Sequence, residues 1–98
     1  MSMDRIVREE ARLVVLKALA DEPDRRLNSS LLQQVLQNFG ITRGRDWVHN
    51  ELRALADLGA VEVIEAGPVR IAVLRAAGLE HVERRRVLEG VKRPSPEF

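Results

Sequence analysis

The side chains in this chain that can do chemistry fall into two sets. Arg43, Arg45, Asp46, His49, Asn50 and Arg53 stand within eleven positions, with Arg70 further on; Arg84, Arg85, Arg86, Lys92 and Arg93 gather near the C-terminal end. The first set is equipped for recognition rather than bond-making. An asparagine amide matches the donor–acceptor edge of adenine, a guanidinium matches guanine, and further arginines hold phosphates. Asp46 can accept from cytosine, although on a phosphate it repels. The chain has no cysteine, which excludes thiol catalysis, disulfides and thiolate metal sites. His49 and His81 are the only histidines and have no companions at ligand spacing, so no metal site is expected. Ser29 and Ser30 are expected to shape a helix start. The sequence offers neither a glycine-rich phosphate loop nor an acid pair placed for a cleft. No enzyme activity and no cofactor are expected.

Each set has a plainer reading beside the functional one. The face carrying Asp46, His49, Asn50, Arg53 and Asp57 is either a nucleic-acid contact or a solvated or protein-facing helix surface. The arginines at 84–86 and the Lys92-Arg93 pair can bind phosphates or an acidic partner, or can be neutralised by Glu80, Glu83 and Glu89 at helical spacings. Trp47, the single tryptophan, either stacks on a ligand or packs beside Val48. Formal net charge is +1, and residues 42–59 balance three cations against three anions. A general attraction to nucleic acid is therefore not written into the total, and the case must come from architecture.

The elements that must position these residues are marked by caps and periodicity. Apolar residues at helical spacing, from Ile6 to Leu19, predict an amphipathic helix over 4–20, with Arg5, Arg8, Glu9 and Arg12 on the wet side. Asp21-Glu22-Pro23 ends it. Asn28 is a good N-cap for a second helix, with Leu27 and Leu32 as a hydrophobic staple. Leu31, Leu32, Val35, Leu36 and Phe39 form its apolar stripe, and Gly40 its stop. After Ile41-Thr42-Arg43 a third helix is predicted from about 45 to 58, with Gly44 as N-cap and Gly59 as stop. Val61–Glu65 and Val69–Leu74 alternate around Ala66-Gly67-Pro68 and predict a hairpin in which Arg70 is the one cation. A last helix is expected over about 76–88, closed by Gly90.

The order helix, helix, helix, hairpin, helix is that of a mainly α fold with a small β-hairpin, a winged helix-turn-helix. It is expected to occupy residues 1–90, with 91–98 as a flexible C-terminal tail. Only Trp47, Phe39 and Phe98 are aromatic, so the core is built from Leu, Val, Ala and Ile, and a domain this small gains from pairing as a homodimer. No apolar run approaches the roughly 18 residues that span a membrane, and Met1–Glu10 lacks an apolar signal core, so a cytoplasmic location is expected.

The phrase Arg45-Asp46-Trp47-Val48-His49-Asn50-Glu51-Leu52-Arg53-Ala54-Leu55-Ala56-Asp57-Leu58-Gly59-Ala60-Val61 resembles the recognition helix and wing entry of winged-helix regulators. Leu74-Arg75-Ala76-Ala77-Gly78-Leu79 resembles their step from wing to following helix, with Arg75 where a capping threonine is usual. The chain as a whole, through Gly90-Val91-Lys92-Arg93-Pro94-Ser95-Pro96, is similar to small ArsR-like winged-helix proteins of Mu-like phages and prophages. The helix-turn-helix order, with Arg43, Arg45, Asn50 and Arg53, leads to the expectation of a transcriptional regulator on double-stranded DNA. The alternative is an adaptor that binds a phage protein in assembly or DNA packaging. The metal-sensing side of the ArsR-like label has no residues to support it.

Overall fold

Nineteen residues, Met3–Asp21, form helix α1, whose face of Ala11, Val15, Leu16 and Leu19 is buried. The computed structural model describes residues 3–96; Met1 and Ser2 of the expected domain, and Glu97 and Phe98 of the expected tail, lie outside the described residues. Strand β1 (Arg26–Asn28) leads into helix α2 (Ser29–Asn38), and helix α3 (Arg45–Asp57) follows a short turn. Strands β2 (Val61–Ala66) and β3 (Val69–Leu74) form the hairpin, and helix α4 (Ala76–Val82) completes the order. The chain is a mostly helical domain with a small antiparallel sheet, arranged as a winged helix-turn-helix.

The expected caps are in place. The Asn28 side chain accepts the Leu31 N–H at 2.9 Å, and Gly44 occupies the N-cap of α3. Gly67 takes φ 63° immediately before Pro68, the positive first position that a two-residue hairpin turn needs. Gly78 earns its place by close approach, because a Cβ there would overlap the Ala60 carbonyl oxygen. Arg75 stands at the N-cap of α4 and makes no side-chain cap bond.

Three features differ from the sequence expectation. The sheet has three strands in the order β1-β3-β2, not two; Leu27, expected only as a staple, also pairs with Ala72 in β3. Helix α4 stops at Val82 rather than about 88. Arg84 turns left-handed at φ 64°, while its N–H donates to the His81 carbonyl and the Arg85 N–H to that of Glu80. This is a complete Schellman ending, the one that Gly40 and Gly59 supply for α2 and α3, here formed without glycine. Finally, Arg12 is not on a wet face. It donates to Glu51 at 2.8 Å and to the Gly90 carbonyl at 2.9 Å, tying α1 to α3 and to the C-terminal segment.

That segment folds back on α1. Leu88 and Val91 are buried, and the Lys92 N–H donates to the Glu9 carbonyl at 3.1 Å. His81, fully buried, holds the return. Its Nδ1 accepts the Leu88 N–H at 3.1 Å, so the proton sits on Nε2, which donates to the Lys92 carbonyl at 2.9 Å.

Candidate nucleic-acid interface

Helix α3 turns Val48, Leu52 and Leu55 into the core. The helical period then places Asp46, Asn50, Arg53 and Asp57 along one outward stripe, and all four are exposed. Glu51, the third of the anions within residues 42–59, is not part of that stripe. It is buried and its charge is met by Arg12, so it contributes little field to the outward face.

Cations surround the stripe. Arg45 is exposed at the first turn of α3. Arg43 lies in the turn before it, with its carbonyl held by Gln33 Nε2 at 2.9 Å and its guanidinium 5.5 Å from the Trp47 ring centroid. Trp47 is half-buried against the core, which favours the packing reading of that residue while leaving one face to Arg43. Arg53 and Arg70 line the same shallow groove of about 220 Å³, between α3 and the hairpin, with Ala56, Val63 and Glu65. Among the described residues, no ion pair within 4.0 Å engages Arg43, Arg45, Arg53 or Arg70. The opposing charges on this side are Asp46, Asp57 and Glu65; Glu62 lies 3.7 Å from Arg75.

A hydrogen-bonded knot fixes the hairpin to the two helices. The buried Ser29 Oγ accepts the Arg70 N–H at 3.0 Å and bonds to His49 Nε2 at 2.8 Å. One serine thus joins the first turn of α2, the outward side of α3 and the strand that carries Arg70. Burial, then the positive charges of Arg70 and Arg45, push the His49 pKa below its ordinary value, with Asp46 opposing. The sequence reading gave Ser29 only a place in the helix start. Nothing in a 20-residue separation from His49, or 41 from Arg70, signals the contact.

The second basic set lies elsewhere, on the segment that packs against α1. Arg85 pairs with Glu83 at 2.5 Å, Arg86 with Glu80 at 2.8 Å and Lys92 with Glu10 at 2.8 Å. Arg84 and Arg93 are exposed. The structure brings Arg43, Arg45, Asp46, His49, Asn50, Arg53 and Arg70 around one surface and leaves Arg84, Arg85, Arg86, Lys92 and Arg93 outside it. Among the described residues no group of three or more His, Asp or Glu is placed to hold a metal ion. Nor is any helix long and apolar enough to cross a membrane.

Among curated proteins the chain is similar to gp26 of Escherichia phage Mu, described as uncharacterized. The two are 34% identical over 91 residues, which cover 93% of this chain and 94% of the phage protein. No family model and no solved structure matches the chain.

Proposed function

The chain belongs to the family of that Mu protein, and from this premise and the α3 surface we propose that it binds double-stranded DNA as a phage or prophage transcriptional regulator. The observation that carries the reading is the ring of Arg43, Arg45, Arg53 and Arg70 around the exposed Asn50 stripe, none of them in an ion pair among the described residues. In a helix-turn-helix the second helix enters the major groove mainly through its N-terminal half, where Asp46, His49 and Asn50 stand. Asn50 then meets a base edge, Arg43 and Arg45 take flanking phosphates, and Arg70 approaches the backbone from the hairpin. The protein acts as a homodimer on two half-sites.

Fluorescence anisotropy with labelled phage promoter and random duplexes, over a range of salt, tests this. Binding should weaken steeply as salt rises. No binding to either duplex at about 50 mM salt, where phosphate contacts are strongest, would overturn it. A second reading, a protein-binding adaptor in phage assembly or DNA packaging, is favoured by the three carboxylates of Asp46, Asp57 and Glu65 on the same side. Recovery of one specific phage protein from induced cells, abolished by Arg53→Ala, would support it.

A further inference from the structure

Helix α2 has two apolar stripes. Ser29, Leu32 and Leu36 face the core and are buried. Leu31, Val35 and Phe39 follow at four-residue steps on the side toward α1; Leu31 is 44% and Phe39 64% exposed, and Val35 between them is half-buried against the core. This corrects the sequence expectation of a single inward stripe. Beside this second stripe a groove of about 490 Å³ runs between α1 and α2, floored by Leu13, Val14 and Ala18. None of its lining residues belongs to α3 or the hairpin, so it is separate from the candidate nucleic-acid interface.

Charge marks this face as unusual. Charged residues make up 32% of the chain, yet from Leu27 to Thr42 there is none. Loss of charge around an exposed aromatic is the composition of the centre of a protein–protein contact. The chain has three aromatic residues, and one of them, Phe39, stands in the open here.

The pattern also says what covers it. Leu31 and Phe39 lie four positions on either side of Val35, so α2 turned end over end presents the same stripe. In an antiparallel pair, Leu31 of each copy meets Phe39 of the other, and Val35 meets its own counterpart. The amides of Gln34 and Asn38 flank this contact, and each can both donate and accept. Two copies meet here without placing like charges from α2 against each other, whereas a charged foreign helix finds no ionic partner on α2. The charged residues of the groove, Glu10, Lys17 and Asp21 of α1 and Glu22 just after it, stand on the wall opposite α2.

We propose that a second copy of this chain docks on this face, α2 against α2, about a two-fold axis at Val35. The proposal rests on the dimeric part of the reading above and not on contact between α3 and DNA. Sedimentation equilibrium of the full chain should give twice the 11.1 kDa of one chain as concentration rises. Phe39→Gln and Leu31→Gln alter exposed side chains, so circular dichroism should be unchanged while self-association weakens by roughly tenfold or more. With no native cysteine to interfere, Val35→Cys should form a disulfide-linked dimer on oxidation, and Gln37→Cys, exposed on another side of α2, should not. A monomer at every concentration overturns the proposal. So does a dimer that Phe39→Gln leaves equally tight. Arg53→Ala should leave the mass unchanged, so a dimer that fails to bind DNA defeats only the DNA reading, and a monomer that binds DNA defeats only the pairing.

Discussion

His49 is the residue whose ring joins three elements at once, through Ser29 to α2 and to the Arg70 strand. Burial and the two nearby arginines lower its pKa in the folded protein, so between that value and the unfolded value of about 6.5 the unfolded chain binds more protons. Stability from this group is therefore complete above about pH 6.5 and is lost as pH falls through the window below it. Urea unfolding between about pH 5 and 8, with imidazole NMR signals as the site-specific check, should show that decline in the native chain. The decline should be smaller in His49→Gln; an unchanged slope would remove His49 from the cause. The neighbouring residues separate by role. Asn50→Ala should cost about 1–3 kcal/mol of DNA binding and relax preference at one base pair. Arg70→Gln should weaken all sequences alike and lower the salt slope by about one. A competition assay against single-base variants distinguishes the two.

Elements that announce their own ends were legible in the sequence, and those made by distant partners were not. Asn28, Gly40, Gly44 and Gly59 bounded α2 and α3 because caps act within a turn of the residue that makes them. The hairpin was legible from alternation around Gly67. Strand β1 was not, because three residues become a strand only by pairing with β3 some 45 positions later. The second stripe of α2 was equally hidden, since periodicity shows that residues align and not what they face. Helix α4 was overrun for a local reason: its Schellman ending falls on Arg84, and an arginine gives no warning of a left-handed turn. That misfit makes a prediction at this scale. A side chain at positive φ costs roughly 1–2 kcal/mol, and glycine gives back about half of that gain through its freer unfolded state. Arg84→Gly should therefore stabilise the domain by about 0.5–1 kcal/mol, read as a higher urea midpoint at unchanged slope. A loss of stability would mean that the Arg84 side chain contributes more than its backbone costs.

At the scale of the whole molecule, the Arg12 guanidinium is the point where first helix, third helix and C-terminal segment meet. Its bonds to Glu51 and to the Gly90 carbonyl span 39 and 78 residues. By spending Glu51 inward, the fold also shapes the outward charge of α3, so a stability contact and the candidate interface are coupled through one carboxylate. The same closure reaches past Gly90, the expected end of the domain. Val91 is buried, Lys92 accepts from His81 and donates to Glu9, and Arg93 is exposed. Deleting residues 94–98 removes none of these contacts and should leave unfolding within about 0.5 kcal/mol of the full chain. Deleting 91–98 removes the Lys92 bonds to Glu9 and Glu10 and leaves the buried Nε2–H of His81 without its acceptor. Together with the lost burial of Val91 this should cost about 3–5 kcal/mol, a large share of what a domain of this size has to lose. Thermal and urea unfolding of the two truncations decide the matter. Equal stability of both would show that the C-terminal return merely rests on α1, while collapse of the shorter chain alone would make Val91 and Lys92 part of the fold that holds α1 and α3 in register.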